Sequence, residues 1–144
     1  TYGMAMPGQL YRRDGSGVGF EEGPRIFNPD MRHFGLWVDD DLLHVFWTQV
    51  GHTPERILAS SIDLSRPFAE WTESDPLEVM RPERPWEGSE APLEPSIRSV
   101  AYGEVNQLRD PAVFEEKGSL YLLYAVAGES GIGIAELHWE EGHE

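Results

Sequence analysis

An internal repeat is the feature of this chain that most constrains its fold. Residues 31–51, MRHFGLWVDDDLLHVFWTQVG, align without a gap with residues 108–128, which lie 77 positions later. Three positions are identical and eight more keep their chemical character; the identical pairs are Arg32/Arg109, Leu43/Leu120 and Gly51/Gly128. Each segment reads as a short strand, an acidic turn, a long apolar strand and a glycine. The chain is therefore expected to stack similar units that bury their apolar faces against one another.

The rest of the chain also reads as short strands separated by turns. It contains 15 Gly and 11 Pro residues, which interrupt the apolar runs, and no long stretch keeps apolar positions at helical spacing. The predicted strands are 9–12, 25–27, 34–38, 42–50, 56–62, 77–80, 112–114, 120–127 and 131–137. The sequence thus predicts an all-β fold of antiparallel sheets.

The longest strand of the second unit carries apolar residues on both faces. Side chains alternate between the two faces of a strand. One face of this strand holds Leu120, Leu122, Tyr124 and Val126, and the other holds Tyr121, Leu123 and Ala125. Such a strand is expected to be buried on both sides by neighbouring sheets. The four-stranded antiparallel blades of a β-propeller bury their middle strands in this way, and a small β-sandwich of the same strands is the alternative.

The repeat divides the chain into parts of a single β-propeller domain. Residues 1–29 are expected to supply outer strands of one blade, 30–81 a full blade, 82–107 a long loop, and 108–144 the inner strands of the next blade. Propellers usually have four or more blades, and this chain accounts for about two and a half. We therefore expect it to be a partial five-bladed propeller, cut from a longer protein.

Composition narrows the expected partners. The formal net charge is −15, and an acidic surface of this kind repels phosphate backbones and anionic lipids, so neither nucleic acid nor a membrane is expected as a partner. The chain has no cysteine, and its five histidines lack the spacing of metal ligands, so no metal or other cofactor is expected. It contains no signal-peptide pattern and no apolar run of membrane-spanning length. Compartment and oligomeric state are left open.

The start of the innermost strand of each unit holds the first candidate site residues. Arg109 and Asp110 precede Pro111, which disfavours helical geometry at Asp110. Arg32 and His33 hold the equivalent positions in the first unit, so His33 and Asp110 are expected to face the same central channel. A histidine beside carboxylates can bind a sugar hydroxyl, relay a proton or ligate a metal. The alternatives are a hydrogen-bonded structural histidine and an ordinary Asp-Pro turn with a local ion pair.

Two connections supply the remaining candidates. Glu129 lies between Gly128 and Gly131 in a tight turn that could present its carboxylate at the face of the propeller, or it is a solvated hairpin residue. Trp86 and Glu87 lie in the long loop, where an aromatic ring beside a carboxylate would suit stacking on a sugar, although loop aromatics also serve as packing anchors. No phosphate-binding loop, HExxH, EF-hand loop or nucleophile elbow occurs.

The motif LRDPAVFEEKGSLYLLYA, residues 108–125, resembles the Asp-Pro motif of the five-bladed β-propeller glycoside hydrolases. That superfamily includes the arabinanases, xylosidases, invertases and levansucrases. The Arg-Asp-Pro form is similar to the invertase-like branch, and the GESGI segment is similar to an uncharacterised glycosidase-like group. The resemblance implies hydrolysis of glycosidic bonds in a carbohydrate substrate, with Asp110 stabilising the transition state or adjusting the acidity of a second carboxyl group.

Glycoside hydrolysis requires two carboxyl groups that flank the bond. We predict Asp110 and Glu129 as the catalytic carboxylates, and the predicted substrate-binding residues are Arg109, His33, Arg32, Glu87 and Trp86. The enzymes that the motif resembles also carry an Asp in their first blade, and it has no counterpart in this chain. A propeller that binds carbohydrate or scaffolds a partner without catalysis is therefore the alternative function.

Overall fold

The computed structural model describes residues 1–139, which contain ten β-strands in three antiparallel sheets. The first sheet consists of β1 (Tyr2–Ala5), β2 (Gln9–Arg13) and β3 (Phe20–Arg25). The second consists of β4 (Met31–Asp39), β5 (Leu42–Gln49), β6 (Ile57–Asp63) and β7 (Leu77–Met80). The third consists of β8 (Arg109–Glu116), β9 (Ser119–Val126) and β10 (Gly131–Leu137). In each sheet the strands follow one another in chain order.

Helical structure in residues 1–139 is limited to two single 3-10 turns, Phe68–Glu70 and Pro85–Glu87. The all-β prediction is therefore confirmed. No helix within the described part of the chain has the length and apolar character needed to cross a membrane.

The second sheet has four strands, and the other two have three each. Some of the predicted strands need correction. β1 was not predicted, and a strand was predicted at 25–27, where β3 ends at Arg25. Phe27 cannot continue that strand because its φ is 65°, in the left-handed region. β8 also begins earlier and ends later than predicted, because its pairing with the long β9 extends from Arg109 to Glu116.

The repeat is visible in the backbone of the two hairpins. β4 and β5 are the first two strands of the second sheet, and β8 and β9 are the first two of the third, so the predicted equivalence of the long strands is confirmed. Positive φ recurs at equivalent positions: His33 49° and Asp110 48°, Asp40 51° and Lys117 52°, Gly51 92° and Gly128 79°. Such angles are uncommon for residues other than glycine. The two hairpins therefore share these three backbone turns, although Gly118 and Ala127 also have positive φ and the equivalent Asp41 and Val50 do not.

Two apolar clusters join the three sheets. The first lies between the first and second sheets and contains Leu10, Ile26, Leu43, Val45 and Trp47 among its buried residues. The second lies between the second and third sheets and contains Phe46, Ile57, Leu108, Leu122 and Tyr124. β5 contributes to both clusters and is therefore buried on both faces.

β9 is buried on one face only, which corrects the prediction made for it. Leu122 and Tyr124 are buried, but Tyr121, Leu123 and Ala125 on the other face are only half-buried. Strand register puts Phe114, Ile132 and Ile134 on that same face, and Ile132 and Ile134 are 80% and 61% exposed. No sheet formed by residues 1–139 covers this surface. We refer to it as the open face, which comprises Ala112, Phe114, Tyr121, Leu123, Ala125, Ile132 and Ile134.

The first strands of the second and third sheets lie side by side. A Cβ atom on Gly35 of β4 would lie 2.7 Å from the carbonyl oxygen of Pro111 in β8, closer than real Cβ atoms approach their neighbours. Glycine at this position therefore permits the close contact of the two strands. The contact brings together the first residues of both strands, where the sequence predicts a site.

Candidate functional site

The starts of β4 and β8 bring five of the seven predicted site residues into one charged cluster. His33 Nε2 lies 3.5 Å from Asp110 Oδ1. Arg109 Nη1 lies 3.5 Å from Glu129 Oε1. Arg32 joins them through Glu55, a residue that the sequence analysis did not single out. We refer to the six residues as the charged cluster: Arg32, His33, Glu55, Arg109, Asp110 and Glu129.

Glu55 lies at the centre of the charged cluster and is 0% exposed. Arg32 binds it with two hydrogen bonds, Nε to Oε1 at 3.0 Å and Nη2 to Oε2 at 2.6 Å. Arg109 Nε lies 3.9 Å from Glu55 Oε2. His33 Nδ1 lies 3.6 Å from Glu55 Oε1. One carboxylate thus connects the equivalent arginines of both repeats.

The surroundings of Glu55 keep it ionised. Loss of hydration on burial is the largest influence on the pKa of Glu55 and acts to raise it. The polar side chains of His33, Arg32 and Ser96, with the charge of Arg32, outweigh that effect and lower the pKa of Glu55 to about 2. Glu55 is therefore an anion at neutral pH and cannot serve as a proton donor.

Arg109 is held rigidly by neutral partners as well as by charge. Its Nε and Nη2 donate to Gln107 Oε1 at 2.9 and 2.5 Å, and Nη1 donates to the carbonyl oxygen of Ser99 at 3.2 Å. The guanidinium is buried, whereas the Glu129 side chain beside it is 39% exposed. A fixed, buried cation thus faces a carboxylate that reaches solvent.

Asp110 and Glu129 are the cluster carboxylates that solvent can reach. The Asp110 side chain is 53% exposed, and that of its neighbour His33 is 17% exposed. A cavity of about 280 Å³ lies beside Arg109 and is also lined by Glu94, Ile97, Tyr102 and Gln107. Its volume is near the lower end of the range for small-ligand pockets. The long loop between β7 and β8 therefore forms most of a cavity beside Arg109, whereas Asp110 and Glu129 are not among its lining residues.

The two remaining predicted site residues lie apart from this cluster. Glu87 is buried, and its Oε1 accepts the backbone N–H groups of Glu83 and Arg84 at 3.2 and 2.9 Å. Its Oε2 accepts the Tyr124 hydroxyl at 3.3 Å; burial, followed by the charge of Glu87, raises the pKa of Tyr124 to about 12. Trp86 is exposed on the same turn. Glu87 thus holds the loop to β9, and within residues 1–139 no hydrogen bond or ion pair joins either residue to the charged cluster.

The sequence offered one indirect sign of Glu55. The motif TPER reads as a polar turn, in which a glutamate is ordinarily solvated. However, two arginines at equivalent starts of apolar strands would require a counterion if they were buried. That counterion comes from the connection between β5 and β6, and only the tertiary contacts reveal which carboxylate it is.

The chain is similar to part of a viral protein whose function is not established. An uncharacterized protein of Acanthamoeba polyphaga mimivirus is 42% identical over 113 residues, which cover 76% of this chain and 32% of that protein. The chain thus spans about a third of the length of this relative. No protein-family model matches the chain, and no solved structure matches it.

Proposed function

We propose that this chain forms part of a five-bladed β-propeller of the glycoside hydrolase type, and that its charged cluster binds a carbohydrate and acts on glycosidic bonds. The observation that carries the proposal is the meeting of the two equivalent strand starts, with His33 Nε2 3.5 Å from Asp110 Oδ1. In a propeller the first strands of neighbouring blades line the central channel. The contact between β4 and β8 is the arrangement that such a channel requires.

The chemistry of the accessible residues supports a carbohydrate ligand. Sugars present many hydroxyl groups, which donate to carboxylates and accept from guanidinium and imidazole groups. Asp110 and Glu129 supply acceptors, and His33 supplies a ring nitrogen beside them. Hydrolysis needs two carboxyl groups near the bond, and in this proposal Asp110 and Glu129 take those roles.

The alternative is a propeller that binds carbohydrate or scaffolds a partner without hydrolysing it. One observation favours this alternative. The third carboxylate of the charged cluster, Glu55, is buried and bound by Arg32, so it is not free to replace the first-blade Asp of the enzymes that the Asp-Pro motif resembles. Catalysis would then require residues outside 1–139.

Substitution of Asp110 and Glu129 tests the proposal. We expect the protein to bind or cleave members of a panel of arabinosides, xylosides and fructosides, and Asp110→Asn or Glu129→Gln to lower turnover roughly 100- to 1,000-fold, the usual effect of removing an electrostatic partner of the transition state. Asp41→Asn, a change in the exposed β4–β5 turn, should leave turnover unchanged. Melting temperatures report whether each variant folds.

The outcomes separate the two functions. Turnover that depends on Asp110 supports the hydrolase. Binding that depends on Asp110 without any turnover supports the non-catalytic alternative. The proposal fails if no sugar binds, or if Asp110→Asn leaves binding and turnover intact while it lowers the melting temperature sharply. In the latter case Asp110 only forms the turn.

A further inference from the structure

The hydrogen bonds around His33 determine where one of its ring hydrogens lies. The Thr48 hydroxyl donates to the carbonyl oxygen of Arg32 across 3.1 Å, and a hydroxyl has only one hydrogen to donate. Thr48 Oγ1 must therefore accept a hydrogen bond from His33 Nδ1, which lies 3.1 Å away. The other polar atom near Nδ1, Glu55 Oε1 at 3.6 Å, is also an acceptor. Nδ1 consequently carries a hydrogen.

The second ring nitrogen of His33 faces a carboxylate. Nε2 lies 3.5 Å from Asp110 Oδ1. If Nδ1 held the only ring hydrogen, Nε2 would present a lone pair to an oxygen that is itself rich in electrons, and the two atoms would repel. A hydrogen on Nε2 converts this repulsion into attraction between opposite charges.

The charges around His33 favour the same arrangement. Arg32 on β4 and Arg109 on β8 supply two positive charges, while Glu55, Asp110 and Glu129 supply three negative ones. One additional hydrogen on the His33–Asp110 pair makes the charged cluster neutral overall.

We propose that His33 carries a hydrogen on both ring nitrogens, so that Nδ1 donates to Thr48 and Nε2 forms an ion pair with Asp110 Oδ1. His33 is then a positioning residue, anchored through Nδ1 on Thr48 and Glu55, that fixes the Asp110 carboxylate at the accessible side of the cluster. The pair also holds a proton that can pass to an oxygen atom of a bound ligand, which leaves a neutral imidazole behind. This proton is the acid–base group that the cluster provides in place of Glu55.

The inference also specifies the ligand, and this part rests on the proposed function. A cluster without net charge, within a chain whose formal charge is −15, offers no excess of cations to a phosphate or carboxylate group. The ligand class that fits is a neutral polyhydroxyl compound rather than a sugar phosphate or a uronic acid. The hydrogen-bond arrangement itself does not depend on any ligand.

Nuclear magnetic resonance of the histidine rings tests the arrangement without a substrate. Long-range ¹H–¹⁵N correlation spectra of the labelled protein near neutral pH distinguish ring nitrogens that carry hydrogen from those with a lone pair, and His33→Gln identifies the His33 signals. We expect hydrogen on both nitrogens of His33 in the wild type, and on Nδ1 alone in Asp110→Asn, since an asparagine N–H can donate to Nε2. Asp41→Asn, which changes an exposed carboxylate in the β4–β5 turn outside the charged cluster, should keep both hydrogens.

Each result decides the question. A single ring hydrogen on His33 in the wild type, on either nitrogen, overturns the proposal; if His33→Gln does not fold, a nuclear Overhauser contact from the His33 ring to the Thr48 methyl group identifies its signals instead. Two hydrogens in both the wild type and Asp110→Asn overturn the assignment to Asp110. Titration with a neutral oligosaccharide and with its phosphate ester then tests the ligand class. Failure of both ligands to bind would refute the proposed function and leave the spectra of the free protein unaffected, whereas preference for the phosphate ester would overturn only the neutral-ligand inference.

Discussion

At the residue scale, Glu55 couples the charged cluster to the stability of the fold. It is the carboxylate that both repeat-equivalent arginines approach, at 2.6 Å for Arg32 and 3.9 Å for Arg109. A buried carboxylate that is hydrogen-bonded in this way is strongly destabilising when it loses either its charge or its partners. The residue that holds the site together should therefore also determine how the protein responds to acid.

We expect acid to destabilise the protein through Glu55. Its folded-state pKa is about 2, below the ordinary value of 4.5, so the ionised form stabilises the folded state. That contribution is fully present above about pH 4.5 and is lost as the pH falls through about 2. A shift of this size corresponds to roughly 3 kcal/mol. Urea unfolding between pH 7 and pH 2 measures the loss.

Glu55→Gln provides the comparison for this prediction. The variant should be less stable than the wild type at neutral pH, because Arg32 loses its counterion. Its stability should also fall less between pH 5 and pH 2. Glu90→Gln, at an exposed position of the long loop, should follow the wild-type profile. If Glu55→Gln and the wild type lose stability in parallel as the pH falls, Glu55 is not the acid-sensitive group.

His33 and Asp110 also share an unusual backbone conformation. Both residues have φ near +50°, and residues other than glycine adopt such angles at a cost of about 1–3 kcal/mol. Histidine and aspartate are among the residue types that tolerate them best. The recurrence of this conformation in both repeats, at the two residues whose side chains meet, is the pattern expected where strain serves a site.

At the element scale, Gly35 sets the distance between β4 and β8. An added Cβ would lie 2.7 Å from the Pro111 carbonyl oxygen and 3.2 Å from Ala112 Cα, and both are backbone atoms that cannot rotate away. We expect Gly35→Ala to destabilise the protein by about 1–3 kcal/mol, the usual cost of overpacking. The strands should also move apart, which weakens the contact between His33 and Asp110.

Gly3→Ala is the matched control because its added Cβ would have no atom within 4 Å and its strand, β1, lies in the first sheet. Chemical denaturation gives the stability of both variants, and the histidine spectra described above report the His33–Asp110 contact. Equal stability of the two variants, with an unchanged His33 signal in Gly35→Ala, would show that β4 and β8 tolerate separation.

The strands that could be predicted from the sequence are those whose apolar residues mark them as buried. β5 and β9 were evident because each has apolar residues along its length, and the repeat gave their equivalent positions. β1 was missed and β3 was misplaced because their residues are mostly polar or small. Their strand conformation is stabilised by backbone pairing with β2 rather than by their own composition. Edge strands of this kind depend on a neighbour rather than on their own pattern.

The candidate site was predictable to the extent that it follows the repeat. Arg32 and His33 align with Arg109 and Asp110, and the equivalence was enough to predict that the two pairs face each other. Glu55 could not be found in this way because it lies outside the repeated segments. Glu87 was misleading for a related reason, since nothing in its local sequence distinguishes a carboxylate that holds a loop from one that binds a ligand.

At the scale of the whole molecule, each sheet packs against the next one along the chain, but no sheet within residues 1–139 covers the open face of the third. Phe46 of β5 is buried beneath the third sheet, in contact with the cluster that contains Leu122 and Tyr124. Leu123 is the equivalent of Phe46 in the repeat, yet it is only half-buried. The open face is thus the counterpart of a surface that another sheet covers within this same chain.

We expect the 144-residue chain to associate with itself through the open face. Contiguous exposed apolar surface of this kind favours association. The two isoleucines of the open face, Ile132 and Ile134, are 80% and 61% exposed. Repulsion between chains of formal charge −15 opposes association at low salt. Added salt screens that repulsion, so sedimentation velocity should detect association that increases with both protein and salt concentration.

Ile134→Lys tests whether association depends on the open face or on other exposed apolar residues. The change places a charge on the part of the open face that the edge strand β10 forms, and it should abolish association, with little effect on stability because the side chain is already mostly exposed. Val18→Lys adds the same charge at a position that is 89% exposed in the β2–β3 turn, and it should leave association unchanged. A wild-type chain that remains monomeric at high concentration and high salt would mean that half-buried Tyr121 and Leu123 protect the face well enough. The third sheet would then need no further sheet packed against its open face.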